Sequence, residues 1–168
     1  MAELDRLFRR LDESGVRFVV VGGLAVLLHG HVRLTVDTDL VLDLEPEAAR
    51  RAVETLLAAG YRPSVPEDPA GFADPGRREA WIRDKGLTVF SWHHADDPLR
   101  VVDLFVESPV PFEELWRRSV EKPFRRRPVR VASIPDLVAM KRKAGRPQDL
   151  EDVAALEQIA DLEAGEDP

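Results

Sequence analysis

Asp37 and Asp39 stand one residue apart in the run Arg33-Leu34-Thr35-Val36-Asp37-Thr38-Asp39-Leu40-Val41-Leu42. The apolar tail of this run reads as a strand, and residues i and i+2 of a strand share a face, so the two carboxylates project together at its start. Like charges about 4 Å apart repel by roughly 4 kcal/mol at an effective dielectric near 20, and a divalent cation removes that penalty. Ligands made only of oxygen suit Mg²⁺, which keeps several waters and completes its shell with substrate phosphates. Upstream, Phe18 to Val21 is a short buried strand that ends at Gly22-Gly23, and Leu24 to Leu28 supplies one or two helical turns closed by Gly30. A glycine turn leading a helix offers backbone N–H groups to phosphate. Phosphate cradle and metal ligands therefore arrive as one unit, the pattern of a nucleoside triphosphate and Mg²⁺ site.

A third carboxylate interrupts the apolar run Arg100-Val101-Val102-Asp103-Leu104-Phe105. Burying it unpaired is costly, so Asp103 calls for a metal or a cationic partner. Asp43 shares the parity of Asp37 and Asp39 and is a further candidate ligand, although an ordinary solvent-edge acid is the simpler reading. His29 and His31 lie inside the central motif. His93 and His94, with Asp96 and Asp97, lack the spacing of a zinc site and read as loop residues.

The elements that must position these groups follow from periodicity. Leu4, Leu7, Phe8 and Leu11 form the inner stripe of a first helix that ends at Gly15. Glu45-Pro46-Glu47 opens a second, with Ala49, Val53, Leu56 and Leu57 inward and Gly60 as its stop. Residues 63–86 are rich in Pro and Gly and read as a long loop, in which Arg77, Arg78 and Arg83 could meet a triphosphate. Strands at Leu87 to Phe90 and Arg100 to Phe105 follow, then a short helix from Pro111 to Val120 and a strand or hairpin arm around Val129 and Val131. Ser133 caps a helix that runs to Gly145. Pro147 opens the last helix, with Leu150, Val153, Leu156 and Ile159 inward.

Composition sets the outer bounds. With 168 residues and 44% apolar content the chain can bury a core, and the absence of cysteine excludes disulfides and thiolate chemistry. The segment MAELDRLFRR has no signal-peptide core and no apolar run reaches the ~18 residues of a membrane span, so the cytoplasm is expected and a membrane is not. The net charge of -7 is unevenly spread: residues 117–146 carry eleven Lys or Arg against two acids. Two readings of that ribbon stand side by side, a basic face for polyphosphate or RNA and a solvated pair of elements packed on an acidic body.

Gly22-Gly23, thirteen residues, then Asp37-Thr38-Asp39 with apolar flanks resembles the polymerase-β-like nucleotidyltransferase superfamily, and GGLAVLLHGHVRLTVDTDL is similar to the small bacterial AbiEii-type nucleotidyltransferases. Arg33, Thr35, Asp37 and Asp39 make up an R-x-T-x-D-x-D string before the strand. ASIPDLVAMKRKAGRPQDLEDVAAL resembles the C-terminal signature of the same proteins, with Lys141, Arg146, Asp149 and Asp152 at the matching positions. The resemblance implies that Asp103 completes the metal site and helps activate the attacking hydroxyl, and that Lys141 reaches the β- or γ-phosphate. A helix-to-helix ion pair is the alternative for these positions, and the preferred one for Asp149 and Asp152.

The expected fold is α/β (α+β), a nucleotidyltransferase fold with a small mixed sheet of about four to five strands flanked by helices and two helices at the C-terminus. Residues 1–110 would form the core and 111–168 a basic arm with the C-terminal helices. The expected activity moves an NMP from an NTP to an acceptor hydroxyl. Asp37, Asp39 and Asp103 serve as metal ligands and catalytic groups, Gly22, Gly23, Arg33, Thr35 and Lys141 bind nucleotide, and Mg²⁺ occupies a two-metal site. By resemblance the acceptor could be tRNA and the chain a toxin with an antitoxin protein as partner. The alternative is a catalytically silent nucleotide-binding or antitoxin-like module of the same fold.

Overall fold

A computed structural model of the chain describes residues 1–165. It runs α1 (Ala2–Glu13), β1 (Phe18–Val21), α2 (Gly22–Leu28), β2 (Asp37–Leu42), α3 (Pro46–Ala58), β3 (Tyr61–Pro63), a 3₁₀ turn (Pro69–Ala73), α4 (Pro75–Lys85), β4 (Val89–His94), β5 (Asp97–Phe105), α5 (Phe112–Arg118), β6 (Val120–Phe124), β7 (Arg127–Val131), α6 (Ile134–Ala144) and α7 (Pro147–Gly165). The seven strands form one mixed sheet in the order β3-β4-β5-β2-β1-β7-β6. β1 pairs antiparallel with β2 and parallel with β7, while β5 lies parallel to β2 and forms a hairpin with β4.

Every residue of β1 is buried, as its unbroken β-branched run demands of a strand covered on both faces. On one face, Phe8 of α1 packs on Phe18 and Phe124, and Phe90 packs on Phe72, Trp81 and Trp92. On the opposite face α2 lies over β1 and β2, with α6 beside it and α7 against α6. That second layer stops short of β4 and β5, whose residues on this face remain half-buried.

Three expectations change. The sheet has seven strands rather than four to five, because the three-residue β3 and the β6–β7 hairpin join it. The hairpin arm expected around Val129 and Val131 is present, and it extends the sheet beside β1. Residues 63–86 are not a loop: Asp68 caps the 3₁₀ turn, and Asp74 caps α4 by accepting from Gly76 and Arg77 N–H. Arg78 is buried there and donates to the carbonyls of Phe72 and Leu44, so it serves the fold. In α7, Val153 and Leu156 are buried and Ile159 packs against the core as the periodicity implies, but Leu150 is 54% exposed, and Asp149 and Asp152 take up the rest of the inner face.

The basic ribbon is largely neutralised. Seven of its eleven cations pair with acids: Arg118 with Glu114 and Asp136, Lys122 with Glu163, Arg127 with Asp12, Arg130 with Glu121, Lys141 with Asp149 and Asp152, Arg142 with Glu157, and Arg146 with Asp149. The segregation of charge along the sequence is in large part a means of pairing elements in space.

His29 is buried at the end of α2, with its Nε2 2.8 Å from the Ala132 carbonyl just after β7. It is a structural tie between layers rather than a nucleotide contact. Burial pushes its pKa below the ordinary value, opposed by that carbonyl. The unfolded chain therefore binds the proton first, so stability falls as pH drops below about 6.5. His29→Gln should flatten this part of the profile, which urea melts of both proteins at pH 7.5 and 5.5 would read as a smaller loss of stability in the variant.

Candidate active site

Register brings the acids together. Asp39 lies opposite Val21 on β1 and opposite Asp103 on β5, and Asp37 lies opposite Val101. Directly opposed residues share a face, so Asp37, Asp39 and Asp103 all stand on the side that carries α2. Asp37 is exposed at the strand start, and the other two are half-buried. Asp43 is elsewhere: it holds Arg17 at 2.6 Å, and Arg17 also pairs with Glu113.

α2 starts directly at the end of β1, so its first turn sits above Asp39. Gly22 has φ +63, and a Cβ there would land on the Asp39 carboxylate. A Cβ at Gly23 would stand 2.6 Å from Thr35 Oγ1 and 3.3 Å from the Arg33 guanidinium carbon. Both glycines are thus required for close approach, and the expected turn is the opening of the helix itself.

Residues 31–36, between α2 and β2, alternate. Arg33 turns inward to Asp152 of α7, and Thr35 donates to the Asp37 carbonyl at 3.2 Å, while Val32, Leu34 and Val36 face solvent, Leu34 at 93% exposure. Asp152 is 1% exposed and also accepts from Lys141 at 2.6 Å. Lys141, 5% exposed, reaches Asp149 at 3.2 Å, and Asp149 binds Arg146 at 2.7 Å. The ion pair foreseen for Asp149 and Asp152 is present, and it engages Lys141 and Arg33, both expected at nucleotide. Arg146, with 77% of its side chain exposed, is the outermost cation of the cluster. Burial pushes the Asp149 carboxyl up, but Arg146 and Lys141 outweigh it and hold the group below its usual range.

Electrostatics mark the other acids. Burial, then Asp103, then Asp37 push the Asp39 pKa up to about 6, against the pull of Lys141 and Arg146. Asp103 is raised by burial and by Asp37, with the Ser91 hydroxyl across the β4–β5 ladder opposing. Its Oδ1 is buried without a hydrogen-bond partner. Among the described residues no three His, Asp or Glu close into a finished metal cage. An orphaned carboxylate oxygen beside a second acid that resists ionisation nevertheless fits a hard cation, which would satisfy the one and lower the pKa of the other.

Two neighbours of the acids escaped the sequence reading. Ser91, just past the expected strand, and His93, expected in a loop, belong to β4 and stand on the carboxylate face, while Phe90 and Trp92 fill the core. The alternation Val89, Ser91, His93 against Phe90, Trp92 was the signal that the strand continues.

The family described as nucleotidyl transferase AbiEii toxin, type IV TA system, matches residues 5–167. The chain belongs to that family. Solved structures with similar folds include lincomycin-bound LnuA, a lincosamide antibiotic adenylyltransferase, with a TM-score of 0.64, 16% identity, and coverage of 94% of this chain and 96% of that one. The solution structure of the antibiotic-resistance factor ANT(2'')-Ia gives 0.61, 16%, 98% and 89%. The crystal structure of ANT(2")-Ia with adenylyl-2"-tobramycin gives 0.57, 16%, 96% and 93%. No curated protein matches the chain. The AbiEii membership and these folds agree with the mixed sheet and flanking helices found here.

Because Asp39 is charged at neutral pH against a raised pKa, it destabilises the fold, and the loss grows as pH rises from about 4 through 6. In metal-free buffer, Asp39→Asn should gain about 1–3 kcal/mol at pH 7.5 and little at pH 4, measured by urea melts across that range. Gly22→Ala combines left-handed strain of about 1–2 kcal/mol with displacement of Asp39. Its melting temperature should fall by at least several degrees in a thermal scan.

Proposed function

We propose that this chain transfers an NMP from an NTP to an acceptor hydroxyl and releases pyrophosphate. The observation that carries the reading is Asp39 opposite Asp103, one with its pKa pushed up to about 6 and the other with an unpartnered buried oxygen, beneath the glycine opening of α2. Membership of a nucleotidyltransferase family supports it.

Asp37, Asp39 and Asp103 would hold Mg²⁺, in one or two positions, which when bound offsets phosphate charge and polarises the transferring group. The residues themselves divide the remaining work. Gly22 and Gly23, by lacking side chains, let the opening of α2 settle on Asp39 and Thr35, so that its backbone N–H groups would stand beside the carboxylates to meet the triphosphate. Thr35 and Arg33 hold the strand-leading segment so that Asp37 faces the site. Lys141 and Arg146 set a positive field beside Asp39, and Arg146, being exposed, is the one placed to meet a phosphate oxygen. Asp103 accepts the hydroxyl proton as the acceptor oxygen bonds to the α-phosphorus. The bond from that phosphorus to the bridging oxygen breaks, and pyrophosphate leaves with its electron pair.

tRNA is the acceptor suggested by the toxin family, with an antitoxin protein as the matching partner. The internal pairing of seven ribbon cations reduces the positive surface open to it, which favours testing small hydroxylated acceptors alongside, such as the lincomycin and tobramycin of the structural neighbours. The engagement of Lys141 by two carboxylates favours one competing reading, a nucleotide-binding module without turnover.

Purified protein with each α-labelled NTP, Mg²⁺ and an acceptor should release pyrophosphate and label the acceptor, and EDTA should stop it. Asp39→Ala and Asp103→Ala should each lower kcat by about 10³-fold or more, a loss of over 4 kcal/mol of barrier reduction, while circular dichroism shows the fold retained. Undiminished labelling by either variant would refute the assignment. NTP binding by calorimetry with no pyrophosphate would establish the silent module.

A further inference from the structure

The carboxylate face continues past Asp103. On β4, Ser91 lies across from Asp103 and His93 across from Val101, so both side chains stand on the face that carries the acids. Val101 and His93 are half-buried, in keeping with a sheet half that the second helical layer leaves open. His93 is not a loose surface ring. Its Nδ1 lies 2.9 Å from Ser64 Oγ, and Ser64 is itself anchored, donating its N–H to the Ser91 carbonyl at 2.8 Å. Nε2 has no partner among the described residues. That contact holds the ring in one orientation and leaves Nε2 to meet a ligand.

We infer that this open half of the sheet is the acceptor platform, and that His93, oriented by Ser64, positions a sugar ring whose hydroxyl is presented to Asp103. The inference rests on the nucleotidyl-transfer reading. Strand spacing near 4.8 Å and a two-residue rise near 6.7 Å put the His93 and Asp103 Cα atoms about 8 Å apart. Two side chains on one face at those corners leave room for one five- or six-membered ring with a polar group at each end. Val101 between them is an apolar floor for the ring's C–H face, and Ser91 adds a second hydroxyl contact. The acids alongside disfavour an anionic group here, so the moiety at this subsite is neutral or cationic. During transfer the sugar oxygen bonds to the α-phosphorus, the proton goes to Asp103 and pyrophosphate leaves. His93 forms no covalent bond.

A sugar hydroxyl of this kind can come from the terminal ribose of an RNA or from a glycosylated or aminosugar small molecule. The test therefore runs the wild type, His93→Ala, His93→Gln and Ser64→Ala with α-labelled NTPs on total tRNA, on lincomycin and on tobramycin in separate arms. The arm that yields labelled product in the wild type identifies the source of the sugar. In that arm His93→Ala should raise the acceptor KM about tenfold or more, with the NTP KM and melting temperature unmoved. His93→Gln, which keeps a polar group near the place of Nε2, should recover much of the loss, and Ser64→Ala should fall between. An acceptor KM unchanged in His93→Ala, or an NTP KM that rises in step with it, would overturn the platform while leaving nucleotidyl transfer in place. A wild type without product in any arm overturns the transfer reading and this inference with it.

Discussion

Holding Asp39 directly across a parallel ladder from Asp103 is the constraint around which the rest of the molecule is arranged. The two groups would repel if both ionised and would be expensive to bury, and the fold does both in part, with Asp37 adding to the field. What keeps them in place is the sheet. Leu40, Leu42, Val102 and Leu104 alternate with the acids and are fully buried on the other face, so a slip of one residue would put carboxylates into the core. Hydrophobic register thus enforces an electrostatic arrangement that is unfavourable by itself, which is the usual mark of a site kept for chemistry.

The neighbouring cations are deployed with equal specificity. Lys141, Asp149, Asp152, Arg33 and Arg146 form one chain of ion pairs, most of it inaccessible to water. Three cations against two acids leave a net positive charge next to a cluster of carboxylates. Each inner charge is matched, which avoids the penalty of an isolated buried ion, and the surplus is carried outward on Arg146. The same cluster joins α6 and α7 to the segment before β2, so the electrostatic environment and the position of Asp37 are set by one set of contacts.

Much of this was legible in the sequence because it is local. A β-branched run, a glycine pair, and aspartates at i and i+2 declare their geometry within a few residues, and Asp103 stood out as a charge inside an apolar strand. The role of the glycines as room for Asp39 and Thr35 was not legible, since it depends on how closely α2 settles on β2. Nor was the polar part of the inner face of α7: Val153 and Leu156 are buried as apolar periodicity implies, but Asp149 and Asp152 share their face, and Leu150 lies off it. Residues 63–86 misled for a related reason. Prolines and glycines that punctuate loops also begin and end short helices, and only the Asp68 and Asp74 caps separate the two cases. β6 and β7 were partly hidden by their charge, which is drawn off into pairs with distant parts of the chain.

The bond between Arg33 and Asp152 spans 119 positions of sequence. A ribosome makes proteins from the N-terminus, so the strand that bears Asp37 and Asp39 emerges long before the helix that steadies its approach. Until residues beyond 152 have cleared the exit tunnel, Arg33 has no carboxylate to grip and the loop ahead of β2 is untethered. A nascent chain therefore carries every acid of the centre before it can make the contact that steadies Asp37.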